Sequence, residues 1–92
     1  MAASTIPYEV LKERSLQDPE VRAAYEALEP AYQVACLRIE RGLSQKELAE
    51  RVGTQQPNIA RLESGQYAPS LSLLRRVAKA LDARLVVRIE PN

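Results

Sequence analysis

The hydrophobic and polar positions change in period along the chain, from a helical pattern to alternation near the end. A stripe of apolar residues at i, i+3, i+4 and i+7 after residue 18 predicts an amphipathic helix. It consists of Val21, Ala24, Tyr25 and Leu28. Residues 84–90 instead alternate with period two, with Leu85, Val87 and Ile89 on one face, which predicts a β-strand. The chain therefore combines several short helices with one strand.

Capping residues set the boundaries of the predicted helices. Asp18 followed by Pro19 favours one helix start. Ser44 and Glu47 form an S-x-x-E capping box, which favours a second helix start at residue 45. Thr54 is predicted to cap the next helix, which begins at residue 55. The predicted helices are about 5–14, from 19 to the bend before 30, 31–41, 45–52, 55–64 and 71–81. The pattern is that of an all-α domain of five to six helices with one C-terminal β-strand.

The single predicted strand lacks a partner within the chain. The backbone N–H and C=O groups of a strand need hydrogen-bond partners, and the pattern offers no second strand. Antiparallel pairing with a second copy across a two-fold axis satisfies both strands and predicts a homodimer. The residues of this expected interface are Leu85, Val86, Val87, Arg88 and Ile89. The alternative interpretation is a frayed C-terminal tail.

Composition excludes several classes of chemistry. The chain has no histidine and one cysteine, Cys36, so it has no Cys/His zinc cluster, no Cys–His nucleophile and no imidazole base. A chain of 92 residues also buries too little surface for a large substrate cavity. We therefore expect no enzymatic activity, no metal and no cofactor, and we interpret Cys36 as a small buried hydrophobic residue. An enzyme that uses carboxylates is the least favoured alternative, because the acids stand among Lys and Arg at helical spacings.

Hydropathy gives no sign of a membrane protein. No apolar run reaches the roughly 18 residues that a membrane span needs. Residues 1–7 lack the basic and apolar segments of a secretory signal. A cytoplasmic protein without membrane contact is therefore expected, and a single cysteine agrees with a reducing compartment.

Charged residues divide the chain into two parts, although the formal net charge is only +1. Residues 1–29 contain three basic and six acidic residues, and residues 30–92 contain ten basic and six acidic ones. This asymmetry predicts two surfaces with different partners, one of them a polyanion. Two ordinary solvated faces are the alternative.

Residues 44–65 have the layout of a helix-turn-helix, with two short capped helices joined by a tight turn at Gly53. Ile59 and Leu62 fall on one side of the second helix, and polar side chains fall on the other. Glutamine can pair with adenine and arginine with guanine, while small apolar groups can touch the thymine methyl. The expected base-reading residues are Gln55, Gln56, Pro57, Ala60 and Arg61, and the expected phosphate contacts are Ser44, Gln45 and Asn58. A solvated polar face is the alternative for any one of these residues.

Three motifs lie within the span from about 34 to 81: G-L-S-Q-K-E-L-A-E-R-V-G (42–53), N-I-A-R-L-E-S-G (58–65) and P-S-L-S-L-L-R-R-V-A-K-A-L (69–81). Together they resemble the XRE-type, phage-repressor-like helix-turn-helix family. The resemblance implies a lambda-repressor-like domain that binds double-stranded DNA, with Gln66 and Tyr67 in a loop that touches the DNA backbone. It also implies that Glu63 ties the second helix to a basic residue of the first domain helix, here Arg38.

The flanking segments read D-P-E-V-R-A-A-Y-E-A-L-E-P-A-Y (18–32) and A-R-L-V-V-R-I-E-P (83–91). They are similar to HigA-type antitoxins of bacterial type II toxin–antitoxin operons. This similarity implies a homodimer that represses its own operon at an inverted-repeat operator and neutralises a RelE/HigB-like mRNA-cleaving toxin. The expected toxin contacts are Val21, Ala24, Tyr25 and Leu28. The alternative is a stand-alone transcriptional regulator of phage-repressor type, in which this stripe enlarges the core.

These interpretations divide the chain into three segments. Residues 1–29 are expected to form an N-terminal helical segment that binds the toxin. Residues 30–83 are expected to form the DNA-binding domain, and residues 84–92 the dimerisation strand.

Overall fold

Five helices make up the regular secondary structure of residues 15–92, the part of the chain that the computed structural model describes. They are α1 (Pro19–Glu26), α2 (Pro30–Glu40), α3 (Gln45–Val52), α4 (Gln56–Ser64) and α5 (Leu71–Ala80). The all-helical class is therefore confirmed for this range, while the helix predicted for about 5–14 lies outside it. No helix among the described residues is long and apolar enough to cross a membrane.

Local capping chemistry explains where the helices begin and end. The Asp18 side chain accepts hydrogen bonds from the first-turn amides of α1, and both halves of the predicted capping box form at the start of α3. Gly53 and Gly65 end α3 and α4 in the left-handed region, with φ of 86° and 71°. Side chains with a Cβ atom rarely adopt this conformation, so glycine gives both helices a sharp stop.

The cap predicted for α4 is wrong. The N-cap is Gln55, which makes no side-chain capping bond, and Thr54 lies one residue too early to cap. The Thr54 hydroxyl instead accepts a hydrogen bond of 2.8 Å from Nδ2 of Asn58. Pro57 contributes to this outcome, because it removes one of the first-turn N–H donors that a cap would satisfy.

The main core lies where α2, α3, α4 and α5 meet. Its centre consists of the fully buried Leu48, Ile59, Leu62, Val77 and Leu81. The α4 helix packs against both α2 and α3, so its apolar side is fixed inward and its opposite side is left at the surface.

A second apolar cluster joins α1 to α2. It contains Leu16, Val21, Leu28 and Cys36. Burial, with a smaller contribution from the carboxylate of Glu63, raises the pKa of Cys36 to about 11. The thiol therefore stays protonated at neutral pH, which confirms the interpretation of Cys36 as a buried hydrophobic residue.

The predicted C-terminal strand is absent from the described part of the single chain. Residues 83–92 have no regular secondary structure. Leu85 packs against the main core, whereas Val87 and Ile89 are 58% and 92% exposed. A strand forms only when a ladder of hydrogen bonds connects it to another, and residues 15–92 provide no second strand for it. Of the three residues that the alternating pattern places on one face, only Leu85 packs against the core.

Candidate nucleic-acid interface

The outer face of α4 carries the side chains predicted to read bases. Ile59 and Leu62 are fully buried beneath it. The structure leaves Gln55, Gln56, Pro57 and Arg61 exposed and Ala60 half-buried. This face projects two long hydrogen-bonding side chains, from Gln56 and Arg61, which lie five positions, or about 7.5 Å, apart along the helix axis.

A hydrogen bond between two helices joins the start of α3 to the start of α4. Nε2 of Gln56 donates to Oε1 of Gln45 at 2.7 Å. Nε2 of Gln45 in turn donates to Oε1 of Glu63 at 3.1 Å. A predicted phosphate contact and a predicted base contact therefore form one connected polar surface.

The ion pair between Arg38 and Glu63 fixes this surface to the rest of the domain. The guanidinium donates to both carboxylate oxygens, from Nε at 2.7 Å and from Nη2 at 3.0 Å. Its Nη1 atom donates to the carbonyl of Leu43 at 2.9 Å. The two side chains are only 16% and 7% exposed, so water screens the pair weakly. The link between α2 and α4 that the family resemblance implied is confirmed.

The loop after α4 lies against the same face. The guanidinium of Arg61 stands over the ring of Tyr67, 5.2 Å from its centroid, which is a cation–π contact. Arg61 has no ion-pair partner among residues 15–92, so its charge is available to an anionic ligand. Gln66 is exposed, and its backbone N–H donates to the Ser64 hydroxyl.

Ser44 and Asn58 complete the set of predicted phosphate contacts. The Ser44 hydroxyl accepts a hydrogen bond from the backbone N–H of Glu47, and the side-chain amide of Asn58 donates one to the Thr54 hydroxyl. Both residues are exposed and lie at the N-terminal ends of α3 and α4, where helix dipoles favour an anion. Local bonding thus orients both side chains at the edge of the polar face.

Three of the predicted toxin contacts lie on α1 and the fourth, Leu28, lies two residues past its end. They are divided between two environments. Val21 and Leu28 are buried against α2, as expected if the stripe enlarges the core. Ala24 is exposed, and Tyr25 is half-buried beneath the guanidinium of Arg22, 5.9 Å from the ring centroid. In the single chain, Ala24 and Tyr25 are therefore the members of this stripe that a partner can reach.

Sequence reasoning missed the connection from Glu63 through Gln45 to Gln56. These hydrogen bonds join residues 18 and 11 positions apart in the chain. Neither separation lies within one helix, so no helical spacing signals them. No group of three or more His, Cys, Asp or Glu side chains within residues 15–92 could hold a metal ion.

Comparisons with known proteins agree with this layout. The family model described as HTH_3, helix-turn-helix, matches residues 37–87. An uncharacterized HTH-type transcriptional regulator of Methanothermobacter thermautotrophicus is 57% identical over 44 residues, which cover 48% of this chain and 64% of the relative. Antitoxin HigA1 of Mycobacterium tuberculosis is 39% identical over 77 residues, which cover 79% of this chain and 52% of the antitoxin.

A third relative is an uncharacterized HTH-type transcriptional regulator of Archaeoglobus fulgidus, 42% identical over 48 residues, which cover 52% of this chain and 69% of that protein. This chain thus spans about two-thirds of the regulators' length and about half of the antitoxin's. No solved structure gives a significant match. The matched region contains all of α3, α4 and α5.

Proposed function

The chain belongs to the HTH_3 helix-turn-helix family of DNA-binding regulators, and we propose that residues 44–67 form its DNA surface, with α4 in the major groove. The observation that carries the proposal is the exposed face of α4, where Gln56 is hydrogen-bonded to Gln45 and Arg61 has no ion-pair partner within the described range 15–92. A recognition helix needs such a face, because sequence is read by side chains that reach the base edges.

Each side chain that we assign to base reading has a matching group in the major groove. Arg61 can donate twice to O6 and N7 of guanine, and Gln56 can bind N6 and N7 of adenine. Pro57 and Ala60 suit the methyl group of thymine, and Gln55 reaches bases from the helix start. Phosphates are contacted by residues at the helix ends and in the loop after α4, which fix the register without reading sequence. These are Ser44, Gln45, Asn58, Gln66 and Tyr67.

Selection of bound duplexes from a random-sequence DNA pool tests this proposal. We expect the wild-type protein to enrich an inverted repeat whose half-sites lie about one helical turn, roughly 34 Å, apart. A pool that stays random after repeated rounds would contradict sequence-specific binding. Enrichment of a single half-site would support sequence-specific binding and would contradict binding as a dimer.

Dimerisation through residues 84–89 is the second part of the proposal. The apolar side chains of Val87 and Ile89 are exposed in the single chain, although an extended segment of this kind is stable in water only with a partner. Antiparallel pairing with the same segment of a second copy would cover these side chains and satisfy the backbone groups between them. It would also present two α4 helices to two half-sites.

Val87→Pro is expected to convert the dimer into a monomer, because proline removes a backbone donor from the centre of the paired segment. Sedimentation equilibrium measures the mass, which should fall from that of two chains to that of one. Val87→Thr is the matched control, since threonine keeps the N–H group and a β-branched side chain. An unchanged dimer mass for Val87→Pro would reject the pairing.

An antitoxin role is the third part of the proposal. The similarity to antitoxin HigA1 covers 79% of this chain, whereas the helix-turn-helix model covers residues 37–87 only. Part of the similarity therefore falls on the flanking segments. Residues 15–29 hold four acidic residues and one basic residue, a charge that complements a basic RNA-cleaving toxin. We assign the toxin contact to the outer side of α1, around Ala24 and Tyr25, with Val21 and Leu28 holding that helix in place.

Purification of the tagged protein from its own source tests the antitoxin role. We expect one small basic protein at a stoichiometric amount that cleaves mRNA in the presence of ribosomes and is inhibited by this chain. Ala24→Arg should abolish the co-purification by placing positive charge and bulk at the proposed contact. Ser72→Arg, an exposed position on α5, is the matched control. Recovery of DNA alone would favour the stand-alone regulator, which is also consistent with the burial of Val21 and Leu28.

A further inference from the structure

We propose that Tyr67 positions Arg61 for guanine, so that the loop after α4 contributes to base preference as well as to phosphate binding. Cζ of Arg61 lies over the ring of Tyr67, 5.2 Å from its centroid. This inference rests on the proposed DNA binding by α4. It gives Tyr67 a role that phosphate contact alone does not supply, because the ring acts through a second side chain that reads the base.

The loop is tied to the last turn of α4 at the residue that the ring touches. The Ser64 hydroxyl donates to the carbonyl of Arg61 at 2.6 Å and accepts from the backbone N–H of Gln66 at 3.3 Å. One hydroxyl thus joins the backbone of Arg61 to the residue that precedes Tyr67. These two hydrogen bonds keep the ring and the base of the arginine side chain in a fixed relation.

The start of the loop is fixed from the other side by α2. Gly65 ends α4 with φ of 71°, and a Cβ atom added there would lie 3.0 Å from the hydroxyl oxygen of Tyr32. This distance is shorter than ordinary van der Waals contact, so the loop and the Tyr32 side chain are closely packed. The position of Tyr67 therefore follows from backbone geometry and does not depend on the Arg61 side chain.

The contact uses a part of the guanidinium that base reading does not need. A cation over an aromatic ring interacts with the negative face of its π-system. Within residues 15–92, the Arg61 side chain donates no hydrogen bond and has no ion-pair partner. Its N–H donors, which lie in the plane of the group, therefore remain free. A carboxylate would hold the same charge but would occupy the edge that guanine needs.

The positioned guanidinium favours guanine over other bases. Guanine presents two acceptors, O6 and N7, to two parallel N–H donors, whereas adenine presents one acceptor and one donor. An arginine side chain that is free in water samples many rotamers, and binding a base must order them. The ring lowers this cost, because part of the ordering is complete before DNA binds. Removing the ring should therefore weaken binding where guanine is present and change it little where guanine is absent.

Affinities for two duplexes test this inference. Random-pool selection with Arg61→Ala identifies the base pair that Arg61 reads, and the second duplex has A·T in place of G·C there. Tyr67→Leu removes the ring and the hydroxyl, whereas Tyr67→Phe removes the hydroxyl alone. We expect Tyr67→Leu to lower the ratio of the two affinities by about two- to fivefold, the factor by which an exposed cation–π contact raises the population of the positioned side chain. Tyr67→Phe should lower both affinities by the same factor, through the lost phosphate contact, and keep the ratio.

A double variant separates positioning from a changed fold. In the Arg61→Ala background there is no guanidinium for the ring to position, so adding Tyr67→Leu should leave the ratio of the two affinities unchanged. A further fall of the ratio in this background would show that Tyr67→Leu acts through the rest of the interface, and it would reject the inference.

The contact itself can be measured without DNA. Protons over the face of an aromatic ring shift upfield in NMR spectra because of the ring current. We expect Hε of Arg61 to lie upfield of Hε of Arg75, an exposed arginine on α5, in wild type and in Tyr67→Phe. In Tyr67→Leu the two signals should coincide. The same spectra confirm that each variant is folded.

Different results overturn the inference and the proposed function. If wild type prefers the G·C duplex but Tyr67→Leu keeps the full ratio, or if Hε of Arg61 and Arg75 coincide in wild type, the role of Tyr67 is rejected and DNA binding by α4 stands. The inference also fails if Tyr67→Phe lowers the ratio as much as Tyr67→Leu, or if Arg61→Ala relaxes no guanine position. If wild type enriches no sequence, both are rejected.

Discussion

Replacing Gln56 and Arg61 together by alanine is expected to remove sequence-specific DNA binding while leaving the domain folded. Each side chain can make a bidentate base contact worth about 1–3 kcal/mol of discrimination, so either single variant should lose roughly 5- to 150-fold in affinity for the selected duplex. The double variant should bind that duplex no better than a scrambled one. Both side chains are exposed, so the free energy of unfolding should change by less than about 0.5 kcal/mol for each.

Fluorescence anisotropy with the selected and scrambled duplexes at one salt concentration measures this loss, since salt changes all DNA affinities. The double variant Gln17→Ala/Arg22→Ala is the matched control, because it removes the same two residue types from the α1 region. If the α4 double variant kept its affinity for the selected duplex within about threefold, the assignment of the reading face would be wrong.

The largest effect on stability is expected for Arg38→Ala. This change leaves the carboxylate of Glu63, 7% exposed, without its charge partner and also removes the hydrogen bond to the carbonyl of Leu43. Removing one partner of a buried ion pair costs about 3–5 kcal/mol, because the remaining charge is desolvated and uncompensated. Small domains are stable by only about 5–15 kcal/mol, so the variant should approach the unfolding threshold.

Urea denaturation followed by circular dichroism measures this difference. Arg22→Ala is the control, since it breaks an exposed pair on α1 whose side chains are 56% and 63% exposed, a pair expected to contribute at most about 0.5 kcal/mol. Arg38→Met/Glu63→Leu should recover much of the lost stability by leaving no unpaired charge. Equal losses for Arg38→Ala and Arg22→Ala would show that the buried pair has no special role in the fold.

Local chemistry made most of the helices predictable. Asp18 before Pro19, and Ser44 three residues before Glu47, are signals contained within one turn, and the structure has a helix start at each. The inward and outward sides of α4 followed from helical periodicity, because Ile59 and Leu62 can share only one face. The cap at Thr54 failed because a one-residue shift at a helix start cannot be read from residue types alone.

Features that depend on long-range packing were not predictable. The stripe on α1 is apolar whether it covers α2 or a partner, and only the fold shows that Val21 and Leu28 are buried within the chain. The contact between Gln45 and Gln56 depends on how α3 crosses α4, which no local pattern encodes. The alternation of residues 84–90 describes a segment that is suited to pairing, but pairing itself requires a second strand.

Adding the selected duplex to the ¹⁵N-labelled protein and recording the chemical-shift changes of its backbone amides tests the proposed DNA surface. We expect the changes to concentrate at Gln45, Gln56, Arg61 and Tyr67, with the amides of α1 unaffected. This pattern would locate DNA on the face formed by the start of α3, the outer side of α4 and the loop after it. Changes concentrated on α1, or none at saturating duplex, would contradict the proposed DNA surface.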